Sequence, residues 1–164
     1  MKKLVLFMMC MSFMFGVELN FKDVTLDEFK LYGMNTKIVY KNKKQRDEKI
    51  AKIWEKFLGS KSFLKVEDIE KIFVVYSDYK KDSFDCYIGV KSSKAIGDFK
   101  LRTVSKSKYN KTILDYNPSV KINDVWDQIN EKKLKRDFKI DMEEYNMEDL
   151  VKSSYKINIY LSKK

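Results

Sequence analysis

Two short windows of the chain carry the same apolar rhythm. In "KIAKIWEKF", residues 49–57, Ile50, Ile53, Trp54 and Phe57 fall at i, i+3, i+4 and i+7. In "KINDVWDQI", residues 121–129, Ile122, Val125, Trp126 and Ile129 do the same. That spacing sets four large apolar side chains along one stripe of an α-helix and leaves polar residues on the rest. Helices are predicted near residues 44–58 and 119–134, with Pro118 just ahead of the second. Each tryptophan is expected to pack against a sheet.

The likeness continues beyond the helices. "VVYSDY" (74–79) corresponds to "IDMEEY" (140–145), and each is followed by a strand-like stretch, "CYIGVKS" (86–92) and "KINIYLS" (156–162). Each helix is also preceded by one, "FKLYGMNTKIVY" (29–40) and "FKLRTVSKSKYNKTILDY" (99–116). The chain therefore reads as βαββ written twice, which predicts halves related by a pseudo-twofold axis. Strand-rich segments joined by short turns give an antiparallel sheet. The expected fold class is α+β: a duplicated βαββ, a pseudo-twofold antiparallel sheet, two helices on one face and a ligand groove on the other.

Three acidic residues, Asp141, Glu143 and Glu144, stand in the predicted strand "KIDMEEYN". Carboxylates are depleted in strands, and a buried one must be paired or neutralised. Alternation puts Phe138, Ile140, Met142 and Glu144 on one side and Lys139, Asp141, Glu143 and Tyr145 on the other. The first set is mostly apolar and is expected under the helices, so Glu143 is expected to face the groove beside Asp141 and Tyr145. In the first half, Tyr79 takes the Tyr145 slot and Ser77 the Glu143 slot. An asymmetric charge on a symmetric frame is better explained by a ligand than by folding.

Composition narrows the chemistry. The 164 residues are 44% hydrophobic and 14% aromatic, enough for one folded domain. The net charge is +10, yet the lysines are spread along the chain, and the clusters "KNKK" (41–44) and "KKLKR" (132–136) are short. The aromatic residues follow strand and helix periods and do not interleave with a basic stripe, which argues against direct nucleic-acid binding. With no histidine, any acid–base chemistry falls to Asp, Glu, Tyr or Lys. The two cysteines, Cys10 and Cys86, cannot form a zinc knot, and no metal or cofactor is expected. "MKKLVLFMMCMSFMFG" has a Lys-Lys start and an apolar run to about Val17, too short to span a bilayer comfortably. Residues 1–17 are read as a signal peptide and 18–164 as the domain; the protein is expected in the periplasm or outside the cell, with no transmembrane span after signal removal, and the alternative is the cytoplasm.

The second half resembles the GyrI-like effector-binding domain, the drug-sensing half of some bacterial transcription activators. The family signature runs Arg, aromatic, two residues, Asp-Phe-Glu, one residue, Tyr; here "RDFKIDMEEY" spans Arg136 to Tyr145, with Met142 for the usual Phe. "IAKIWEKF", "VVYSDY", "YIGV" with Gly89, and "KYNKTIL" with Tyr109 fit in the same order, so the likeness covers roughly residues 22 to 164. The resemblance implies that Glu143 anchors a small hydrophobic or cationic ligand in an aromatic groove. Tyr145, Tyr79 and Tyr109 are implied as its aromatic neighbours, with Trp54 counted in the same set. The chain shows no helix-turn-helix ahead of the domain, so the resemblance is to the sensing half alone. Two other functions stay open: a hydrolase of reactive small molecules using the same glutamate, and a protein-binding modulator of the gyrase-inhibitor type. No nucleophile–base pair is visible, and no residue is assigned to catalysis.

Overall fold

The computed structural model describes residues 17–164 apart from Lys133. All of the segment read as a signal peptide except Val17 therefore lies outside the described residues. The strands are β1 (Lys22–Leu26), β2 (Phe29–Val39), β3 (Lys71–Lys80), β4 (Ser83–Lys91), β5 (Lys100–Val104), β6 (Ser107–Tyr116), β7 (Ile140–Asn146) and β8 (Tyr155–Ser162). Among the described residues there are also two α-helices, α1 (Lys43–Leu58) and α2 (Ile122–Glu131), and two short 3₁₀ turns. Among the described residues, no helix is long and apolar enough to cross a membrane.

One antiparallel sheet holds all eight strands in the order β1-β6-β8-β7-β3-β4-β2-β5. That order reads the same from either end once the halves are exchanged, so β1 answers to β5, β6 to β2, β8 to β4 and β7 to β3. The pseudo-twofold axis runs between the antiparallel pair β3 and β7. Each half carries one strand more than the expected βαββ. The long segment 99–116 divides into β5 and β6, which do not pair with each other, and β1 is the counterpart of β5 in the first half. Both extra strands cross over: β1 pairs with β6, and β5 pairs with β2.

The helix ends follow local chemistry. The side chain of Asn42 accepts from the Gln45 backbone N–H at 3.0 Å and caps α1, and Gly59 closes the far end. The second helix is shorter than expected at both ends. Asn117 first turns the chain through a bond to the Ser119 backbone, 2.9 Å. Beyond Ile129 the apolar stripe is not continued, because the next position on that face is Lys132.

Both helices lie on the same sheet face. Ile53 and Phe57 of α1 and Val125 and Ile129 of α2 share one core with Ile72, Val74, Ile88 and Ile159. A second cluster, with Leu31, Phe73, Val75, Tyr87, Tyr109, Met142 and Tyr160, fills the opposite face. Where β2 meets β4, Gly33 stands directly opposite Gly89. A Cβ on Gly33 would sit 1.9 Å from the Ile88 carbonyl oxygen and 2.5 Å from the Gly89 Cα. Only backbone lies there, so nothing can rotate aside. Gly33→Ala is expected to destabilise the fold by at least about 1–3 kcal/mol; an unchanged urea midpoint would contradict this close approach.

Candidate functional site

Alternation along β7 holds as expected, and the face does not. Asp141, Glu143 and Tyr145 share one side of the strand, and that side looks toward the helices. Met142 and Glu144 look the other way. The Trp126 indole N–H, from α2, donates to Glu143 Oε1. Tyr76 donates to the same oxygen at 3.0 Å, and Tyr145 donates to Oε2 at 2.6 Å. The expected groove on the helix-free face is thus corrected: that face is filled by the second apolar cluster, and Glu143 lies under the helix layer. The polar trio Asp141, Glu143 and Tyr145 is buried because neighbouring side chains satisfy it, which a count of apolar residues does not register.

The aromatic frame shows the pseudosymmetry directly. Trp54 meets Tyr145 edge-on at 5.2 Å, and Trp126 meets Tyr76 in the same way at 5.3 Å. Tyr145 is therefore answered by Tyr76 and not by Tyr79. Tyr76 and Tyr79 reach the same face because β3 breaks register between Ser77 and Lys80, with Asp78 at φ 50. On this equivalence the partner of Glu143 is Val74, not Ser77. Val74 and Glu143 are also direct cross-strand neighbours, so one carboxylate and one apolar side chain face each other across the axis.

Between α1 and α2 the sheet is left open as a cleft of about 580 Å³, its open mouth included. Tyr76, Tyr79, Phe84 and Tyr40 line it from the sheet side, and Arg46, Ile50, Asn123, Trp126 and Asn130 from the helices. Arg136 and Phe138, on the segment after α2, close one end. Phe138 holds a left-handed φ of 56, keeps half its surface exposed and stacks on the Arg136 guanidinium at 4.3 Å. A phenylalanine in that backbone region is strained, and such strain collects at functional sites.

The floor is strongly polarised. Burial pushes the Glu143 carboxyl above the ordinary glutamate range, and the hydrogen bonds from Tyr145, Trp126 and Tyr76 only partly oppose it. Burial, then the charge of Glu143, pushes the Tyr76 and Tyr145 hydroxyls well up. Beside this group Asp141, fully buried, pairs with Arg136 at 2.5 Å. It also accepts from the Tyr79 hydroxyl at 2.8 Å and the Ser162 backbone N–H at 2.9 Å.

The expected site residues thus separate. Glu143, Tyr145, Tyr79 and Trp54 all lie on the helix face, with Tyr145 joining Glu143 to Trp54 and Tyr79 bonded to Asp141; of the four, Tyr79 lines the cleft. Tyr109 is on the other side of the sheet, packed on Tyr160 at 6.1 Å; its position in β6 points it into the second cluster, away from the cleft. Glu144 is on that side too. Burial would push its carboxyl up, but Lys71, Tyr160 and Asn158 hold it below the usual range. Sequence reading passed over Tyr76, Arg46 and the cleft-lining role of Trp126. The Trp54–Trp126 repeat already marked the tryptophan; the bulge at Asp78 hid Tyr76.

This fold recurs in solved structures. An integron cassette protein from the mobile metagenome of Vibrio cholerae superposes with a TM-score of 0.67 at 20% identity, over 89% of this chain and 99% of its own. A bacterial transcription regulation protein from Staphylococcus aureus MU50 gives 0.63 at 18% identity, over 90% and 100%. SAV2435, solved bound to tetraphenylphosphonium, gives 0.63 at 17% identity, over 88% and 94%. The architecture is that of the GyrI-like effector-binding domains. Residues 24–162 match the Cass2 family model, described as integron-associated effector binding protein, and the chain belongs to that family. No curated protein matches it significantly in sequence.

Proposed function

We propose that the protein binds a small, largely apolar cation in the cleft between α1 and α2, with Glu143 as its anchor. The observation that carries this reading is the single carboxylate on the pseudo-twofold axis, set under an aromatic cleft where the other half supplies Val74. Folding alone does not require it, since the symmetric position is apolar. Tyr76 and Trp126 both line the cleft and both bond Glu143, so one layer of rings separates a ligand from the charge. Ring faces attract an organic cation by about 0.5–2 kcal/mol each, and a rotation of Trp126 would open the carboxylate itself. The tetraphenylphosphonium bound by SAV2435 has the matching chemistry: a delocalised cation wrapped in rings. With the apolar start of the chain read as an export signal, the compound would be met in the periplasm or outside the cell.

Tetraphenylphosphonium titrated into the protein tests this through its two tryptophans. Saturable quenching is expected in the wild type and in Trp54→Phe, and most of the signal should vanish in Trp126→Phe. Quenching that depends on Trp54 alone, or no saturation at millimolar ligand, would place binding elsewhere or remove it.

A further inference from the structure

The wall a ligand touches differs from the floor beneath it. Among the described residues lining the cleft there are two guanidinium groups, Arg46 and Arg136, two carboxamides, Asn123 and Asn130, and no carboxylate. Glu143 and Asp141 are both covered by other side chains. Each arginine is tied down by side-chain hydrogen bonds. Arg46 donates to Asp47 at 2.9 Å and to Asp127 at 2.8 Å. Arg136 donates to Asn130 at 2.9 Å and to Asp141 at 2.5 Å, with Phe138 over its face. Yet each keeps one buried nitrogen, Arg46 Nη2 and Arg136 Nε, with no acceptor among the described residues. Neither nitrogen has open surface, so an acceptor in the cleft reaches it only with a shift of the side chain; buried guanidinium N–H groups without an acceptor are rare and call for one.

We infer that the ligand of this cleft carries an acidic or strongly accepting group, a carboxylate or its equivalent, which seats against Arg46 and Arg136 while the apolar body lies against Tyr76 and Trp126. This rests on the cleft being the ligand site and goes beyond it in naming a second pole. Each guanidinium has one nitrogen left without an acceptor, so each can give such a group one charge-assisted bond. The preferred compound is therefore amphoteric: an aromatic cation with an acid attached. A purely cationic ligand of the same shape leaves both free nitrogens unpaired and brings its charge beside two like charges.

Rhodamine B and its ethyl ester separate the alternatives, since they share one xanthylium cation and differ in a single carboxylate. On the wild-type protein, fluorescence anisotropy should show the free acid binding about tenfold or more tighter than the ester, the worth of a charge-assisted contact. In Arg46→Gln that preference should collapse toward parity. Arg46 is the variant of choice because Asp127 keeps Lys43 at 2.7 Å when the arginine is gone. Arg136→Lys, which keeps the charge opposite Asp141 and loses the unpaired Nε, should lower the preference as well. An ester that binds as tightly as the acid, or a preference untouched by both variants, overturns the second pole and leaves the cleft reading standing. If neither dye binds, both fall.

Discussion

Asp141→Ala should destabilise the protein more than any other single change in the cleft region, by about 3–5 kcal/mol. Asp141 is fully buried, and its partner Arg136 keeps only 5% of its surface in contact with solvent. Removing the carboxylate leaves a guanidinium in the interior with the Asn130 oxygen as its one hydrogen-bond acceptor among the described residues and the Phe138 ring over its face. It also strips acceptors from the Tyr79 hydroxyl and the Ser162 backbone N–H. The loss of a buried pair is asymmetric in this way: the pair itself adds little net stability, while one orphaned member is costly. Asp141→Asn keeps an oxygen in place and should fall between the wild type and the alanine variant. Urea unfolding of the three proteins measures this, and an alanine variant within about 1 kcal/mol of wild type would mean that the pair behaves like an exposed surface contact.

Much of the fold was legible because the hydrophobic pattern repeats. The two helices were marked by matching i, i+3, i+4, i+7 stripes, and their bounds were missed only where capping or the loss of the stripe decided them. The pairing of halves was legible from the Trp54–Trp126 equivalence. The sharing of faces along β7 was legible too, since alternation is fixed by the pleat. Which face turned inward was not, because both are buried. Phe73, Val75 and Met142 on one side look as much like a core as Ile72 and Val74 on the other. The polar trio on β7 decides the matter, and its burial depends on donors from distant segments: Trp126 on α2, Tyr76 on β3 and Arg136 before β7. Those contacts are set by tertiary geometry. The extra strands β1 and β5 were obscured for a related reason, each being five residues long and paired with the opposite half. A bulge at one residue, Asp78, was enough to shift the tyrosine equivalence from Tyr76 to Tyr79.

The affinity of the cleft for a lipophilic cation should depend on pH through Glu143, and the direction follows from its burial. In the folded, unliganded protein burial holds the Glu143 pKa above the ordinary glutamate value. The stability this group contributes is therefore complete below the unfolded pKa and is lost as pH rises through the folded one. A cation favours the carboxylate over the acid, so its binding runs the other way: weak while Glu143 is protonated, tightening as pH climbs through the raised pKa, and level beyond it. On that upper plateau Glu143→Gln should weaken tetraphenylphosphonium by about 10- to 100-fold, the equivalent of roughly 1.5–3 kcal/mol for a charge-assisted contact. At the acid end the wild type should converge on the variant, because both then offer a neutral side chain. Glutamine can still accept from Tyr76 and Trp126, so the aromatic frame is retained. Glu144→Gln, on the other face of the sheet with Lys71, Tyr160 and Asn158 as partners, should keep the wild-type affinity and the wild-type profile. Titrations between about pH 5 and 8 on the three proteins decide it. A wild-type profile as flat as that of Glu143→Gln, or an equal loss in Glu144→Gln, would remove Glu143 as the anchor and leave the rings of Tyr76 and Trp126 to hold the ligand alone.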